Sequence, residues 1–247
     1  MAKKQSAKMG MNKTGLETSP KLSKEMVESS SDGPVPPGNG GITPDAVRAE
    51  YIKEAVPIGS VPPPTSLKGA AKSAMQALKG EKATVFIDKL GERLAFERSG
   101  TRLYEALIVK CKALGGSPGG PTVDELEQIC AEELEHFHLL WDCLKQLGAD
   151  PTVETPSADV SALASEGIPK VLTDPRTTLA HGLQAILAAE LVDNEGWEML
   201  VKLAESFGQT DMVDQFREAL AQEENHLVVV RDWLTNEVNR EAHIGAS

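Results

Sequence analysis

Two stretches of the chain carry a glutamate and, three residues later, a histidine in the middle of an otherwise apolar helical stripe. One stripe reads Leu126, Ile129, Glu133, His136, Leu140, Cys143, Leu147; the other reads Met212, Phe216, Ala219, Glu223, His226, Val230, Trp233. Steps alternate between three and four residues, which keeps every member on one face of an α-helix. Two further stripes hold one glutamate each. They run Leu90, Leu94, Glu97, Thr101, Tyr104, Ile108, Cys111 and Leu183, Leu187, Glu190, Asn194, Trp197, Val201, Ala204. The faces that should pack into a core therefore carry four carboxylates and two imidazoles at their centres. Taking an ionised carboxylate out of water costs several kcal/mol even after relaxation, and four that meet mid-bundle repel one another. No Lys or Arg stands on these stripes, so ion pairing is expected to bring no relief. Two divalent cations would balance four carboxylates, and neutral imidazole is a good nitrogen ligand. The residues point to metal binding over a metal-free core.

The four stripes also form a repeat. Glu190 follows Glu97 by 93 residues, while Glu223 and His226 follow Glu133 and His136 by 90, and Asp142 and Asp232 keep that second offset. The chain is thus read as two related helical hairpins. The repeat fixes the register of the second helix, where Glu135 and His138 also have E-x-x-H spacing. That face runs into Lys145, and only His136 aligns with His226, so His138 is expected at the surface. His181 and His243, at a helix start and in a tail, are read as structural or solvated.

The pattern predicts an all-α protein. A first long helix spans about 81–114 and stops at a glycine-rich link. A second begins at Thr122, which with Glu125 forms a capping box, and ends before Gly148. Asp174–Pro175 is expected to open the third, which ends near Gly208, and Thr210 to cap the fourth, which runs to about Val238. The intervening 148–174 is too long for a tight turn. Short links within each hairpin and a long crossover between them define the topology: an antiparallel four-helix bundle at 81–240, followed by a tail at 241–247. Residues 1–80 form a long N-terminal extension, rich in Gly, Pro, Ser and Lys at 29–41 and 57–66. A short helix is expected after Thr43–Pro44, over Ala46 to Ala55, and an amphipathic piece over Leu67 to Leu78.

Charge and composition narrow the function classes. The first 82 residues hold 12 Lys/Arg against 8 Asp/Glu, and the rest 13 against 29. A body that acidic repels phosphates, so nucleic acid is not an expected partner. No stretch approaches the about 20 apolar residues of a membrane span, and no apolar run near the N-terminus suits a secretory signal. Cys111, Cys130 and Cys143 include no C-x-x-C pair, which removes a disulfide framework, a zinc ribbon and a rubredoxin-type iron site. A cytoplasmic protein is expected.

One Glu, an E-x-x-H, a second Glu and a second E-x-x-H on four successive helices resemble the ferritin-like di-iron carboxylate superfamily, which includes ferritins, bacterioferritins and rubrerythrins. The resemblance implies a dinuclear centre of two Fe ions, with Mn or a mixed Mn/Fe pair as alternatives. Glu97 and Glu190 would each bind mainly one metal, Glu133 and Glu223 would bridge both, and His136 and His226 would give one nitrogen to each. Glu132 and Gln222, just before the bridging glutamates, would hydrogen-bond the opposite histidines, and Tyr104 would be a redox-active neighbour or an ordinary core aromatic. The implied partners are iron and O2 or H2O2, in a homo-oligomer. The implied function is ferroxidase- or peroxidase-like handling of iron and oxidative stress. An oxygenase on an organic substrate would need an apolar cavity, lined by Leu140, Cys143, Val230 and Trp233. A non-catalytic, metal-stapled assembly or stress protein is the third class. Storage ferritins lack the second histidine, bacterioferritins are compact chains, and rubrerythrins usually carry a rubredoxin module that these cysteines cannot make.

Overall fold

A computed structural model describes residues 19–31, 43–63 and 83–243. Among these residues there are eight helices and no strand: α1 (Pro20–Ser31), α2 (Pro44–Glu54), α3 (Ala83–Leu114), α4 (Val123–Leu147), α5 (Pro156–Ser165), α6 (Gly167–Thr173), α7 (Leu179–Ser206) and α8 (Thr210–Glu241). The chain divides into two compact units, one containing α1 and α2 and the other α3 to α8. In the first unit, α2 starts where Thr43 accepts a hydrogen bond from the Ala46 amide, as the Thr-Pro-Asp signal predicts, and α1 is a helix the sequence reading did not foresee. The amphipathic piece expected at 67–78 lies outside the described residues.

The second unit is the antiparallel bundle. Its long helices are α3, α4, α7 and α8, and its apolar interior falls into two clusters. One joins Leu90 and Leu94 of α3, Leu140 and Cys143 of α4, Leu200 and Ala204 of α7, and Met212 and Phe216 of α8. The other joins Leu107 and Cys111 of α3, Leu126 and Ile129 of α4, Leu183 and Ile186 of α7, and Val230 and Trp233 of α8. The N-terminal halves of α3 and α8 thus meet the C-terminal halves of α4 and α7, so each helix packs beside antiparallel neighbours. The same distribution separates Leu140 and Cys143 from Val230 and Trp233, at opposite ends of the bundle, so these four do not line one cavity. The reason is geometric: one turn past His136 and one turn past His226 lead in opposite directions on antiparallel helices.

Local chemistry sets the ends of these helices. Thr122 and Glu125 form the predicted capping box of α4, and Gly148 closes that helix with φ 79°. Two boundaries differ from expectation. Asp174–Pro175 does not open the third long helix, because the Asp174 carboxylate accepts from the Arg176 amide and folds the segment into a turn. Thr178 caps α7 instead, with His181 Nδ1 accepting from the Thr178 amide at 3.1 Å, which gives His181 a structural role. Thr210 is the first residue of α8 and not its cap, since Gln209 holds the capping position. The crossover is helical over α5 and α6. It is pinned to α3 where the Asp88 carboxylate accepts from the amide and hydroxyl of Ser157 at 2.9 and 2.7 Å. Among the described residues, no helix is long and apolar enough to cross a membrane.

Candidate metal centre

Between the two apolar clusters lies a polar layer. Glu97, Glu133, His136, Glu190, Glu223 and His226 are all buried there, none more than 3% exposed. Each comes from the middle of its helix, where the apolar residues on either side carry it into the interior. The structure gathers their donor atoms into overlapping groups. Glu97, His136 and Glu223 form one, and Glu133, Glu190, Glu223 and His226 another, with all atoms of a group within 4.8 Å of one another. Glu223 stands between the two imidazoles: His136 Nδ1 is 2.7 Å from its Oε1, and His226 Nδ1 is 3.2 Å from its Oε2.

The outward-facing ring nitrogens meet the residues that precede the opposite glutamates. His136 Nε2 lies 2.7 Å from Gln222 Oε1, and His226 Nε2 lies 2.6 Å from Glu132 Oε2. With Nε2–H donating to these oxygens, each Nδ1 faces the carboxylates, where it carries a proton in the metal-free protein and would offer a lone pair to a cation once that proton leaves. Tyr104, also buried, donates its hydroxyl proton to Glu190 Oε1. Its counterpart in the repeat, Trp197, packs edge-on against His136 at 5.3 Å between ring centroids. His138 is exposed, as the register argument required.

Two charged residues were missed in the sequence. Arg93 and Asp193 are 3% and 2% exposed, and Arg93 Nη1 donates to Asp193 Oδ1 at 2.5 Å while its Nε lies 3.7 Å from Glu97 Oε1. The expectation that no cation stands among the buried carboxylates is therefore corrected. Arg93 precedes Leu94 on the edge of the stripe, and its long side chain reaches inward where Gly196 leaves room: a Cβ at 196 would come 2.5 Å from Arg93 Nη1. Asp193 also belongs to a group of potential donors with Glu97, Glu133 and Glu223. The signal that marked it was present, because Asp193 stands three residues after Glu190, where the helices of Glu133 and Glu223 carry histidine.

Electrostatics reflects this crowding. Burial, followed by the charges of neighbouring carboxylates, pushes Glu97 and Glu133 well above the ordinary carboxylate range, and the same causes raise Glu190. Burial also raises Asp193 to about 6, against the pull of Arg93. Glu223 goes the other way. Burial would raise it, but its contacts with His136 and His226 outweigh burial and hold it at about 2. Burial opposes the charged form of His226, yet Glu223 and its other acidic neighbours raise it to about 9.

The donor set fits divalent cations on an observation independent of charge. In this layer His136 Nδ1 and Glu223 Oε1 face each other at 2.7 Å, while Glu97 Oε1 and Oε2, Glu133 Oε2 and Glu190 Oε2 are four buried carboxylate oxygens that accept no hydrogen bond among the described residues. Buried polar atoms are nearly always paired, and here the unpaired ones converge. Gly100 clears their space, since a Cβ there would come 2.0 Å from Glu133 Oε2. Comparison with protein-family models, curated proteins and solved structures finds no match. Among the described residues the fold is all-helical, with buried Glu/His clusters that form potential dinuclear metal sites, an arrangement consistent with a ferritin-like four-helix bundle.

Proposed function

We propose that this protein binds two iron ions in the polar layer and uses them in ferroxidase- or peroxidase-like chemistry with O2 or H2O2. The observation that carries the reading is the convergence of four carboxylate oxygens that accept no hydrogen bond among the described residues, between two histidines already oriented by hydrogen bonds. Glu97 and His136 would hold one ion, Glu190 and His226 the other, and Glu133 and Glu223, which recur in the overlapping groups, would serve both. A reduced iron pair supplies two electrons to an oxidant. The protein's own part is to orient and to exclude. Glu132 and Gln222 hold the two ring protons outward, and the Tyr104 hydroxyl donates to Glu190 Oε1 and orients that carboxylate. Arg93 balances the charge of Asp193, and the apolar clusters on both sides keep water from the layer.

The test is elemental analysis of anaerobically iron-loaded protein beside Glu133→Ala/His226→Ala, followed by absorbance on exposure to air. The expected result is two irons per chain, lost in the variant, with an oxidised-iron band that grows in air. Two irons that stay reduced in air would favour a purely structural role for the metal. A folded wild type that takes up no iron would overturn the site.

A further inference from the structure

The two halves of the metal layer are related by the repeat, yet they differ where they touch the ligands. His226 donates through Nε2 to a carboxylate, Glu132, whereas His136 donates to the neutral carboxamide of Gln222. These two acceptors occupy matching positions, 90 residues apart. A hydrogen bond to a carboxylate leaves the imidazole richer in electrons and a stronger donor at its other nitrogen. The glutamates differ as well. Glu97 has the Arg93 guanidinium 3.7 Å away, with no counterpart at Glu190, because Ile186 holds the matching position in the repeat. A neighbouring cation draws charge from the Glu97 carboxylate and repels a second cation. The additional carboxylate on that side, Asp193, is engaged by the same guanidinium through both its side chain and its backbone oxygen, at 2.5 and 3.0 Å. Outside the candidate ligands, Glu190 accepts from the neutral hydroxyl of Tyr104 through Oε1.

We infer that the two metal positions are unequal, and that the position beside His226 and Glu190 binds a divalent cation first, with Glu132 as the positioning residue that sets the order. This rests on the dinuclear reading above. An ordered pair is a protein that can hold one ion firmly while the other position, beside His136 and Glu97, exchanges.

The experiment uses Co2+, which needs no oxidant control. Crystals of full-length protein receive one equivalent of Co2+, and anomalous scattering gives the occupancy of each position. Calorimetric titration in solution gives the two affinities. Wild type should show two steps and a first ion concentrated beside His226. Loss of a residue that orients a metal-bound histidine typically costs about 10–100-fold in affinity. Glu132→Gln should therefore weaken the tighter step by about that factor and leave the weaker one in place, bringing the two occupancies toward equality. Gln222→Glu, tested separately, should strengthen binding beside His136 and narrow the gap from the other side. Two Co2+ ions bound with equal affinity in wild type, or a first ion beside His136, would overturn the ordering and leave the dinuclear reading standing. An unchanged occupancy ratio in both variants would overturn the role of Glu132. Fewer than two ions at saturation in wild type would overturn both.

Discussion

Gly100 occupies a mid-helix position where alanine is favoured by about 1 kcal/mol, and the structure supplies the reason for glycine: the Glu133 carboxylate lies against its Cα. Gly100→Ala should therefore separate stability from binding. The clash falls on the end of a flexible side chain, so the metal-free protein should keep or raise its melting temperature. The displaced carboxylate should lower Co2+ affinity by at least about 10-fold, on the scale of a disturbed ligand shell. Unaltered binding in this variant would show that Glu133 does not need its observed position. At this scale the six buried donors were legible because ionisable residues stand out in an apolar stripe. Gly100 and Arg93 were not, and Asp193 was missed despite its spacing from Glu190, because a stripe takes one residue per turn while a buried face is wider. Arg93 enters from the flank, and a missing side chain leaves no mark in a hydrophobic pattern.

Helix ends follow side-chain chemistry where one residue dominates and diverge where two compete. The Thr122/Glu125 box is complete in both directions, with Glu125 Oε2 accepting from the Thr122 amide at 2.8 Å and Thr122 Oγ1 from the Glu125 amide at 3.2 Å. Thr122→Ala should cost about 1 kcal/mol, read as a fall in the denaturation midpoint, with metal stoichiometry intact because the cap lies well over two turns from Glu133. A loss of metal in this variant would mean that the end of α4 controls its centre. Asp174–Pro175 carried the same kind of signal, but two capping residues stand four apart there, and the Asp174 side chain is spent on the Arg176 turn. That competition is invisible in a linear reading, as is the helicity of α5 and α6. Their short apolar runs gain helix mainly from packing on α3 and α7, not from a periodic stripe of their own.

For the molecule as a whole, the polar layer ties stability to pH and to metal. In the metal-free protein, His226 is raised from 6.5 to about 9, so the stability it contributes is complete below about 6.5 and is lost as pH climbs toward 9. Glu97, Glu133 and Glu190 are also raised, and they act in the same direction as they lose their protons. Metal binding requires those protons to leave, so its stabilisation grows as pH rises. The melting temperatures of metal-free and Mn2+-loaded protein should therefore diverge between about pH 6.5 and 9. A hundredfold excess over Kd is worth about 2.7 kcal/mol, and chelator should reverse the gain. A gap that narrows with pH would contradict the burial of these groups as ligands. The bundle topology was legible from link lengths and stripes, since short loops force antiparallel neighbours. The division of the core into two ends was not, because it depends on which half of each helix meets which.

The two hairpins carry matched positions around a single centre, and this bears on how such a centre can become lopsided. Two identical hairpins that associate as a pair would show every substitution twice, so both histidines would have to face a carboxylate or both a carboxamide. Only when the halves are joined in one chain can Glu132 differ from Gln222, Tyr104 from Trp197, and Gly100 from Asp193. The crossover through α5 and α6 is the covalent link that permits this. By fusing the copies, it frees each half to mutate on its own.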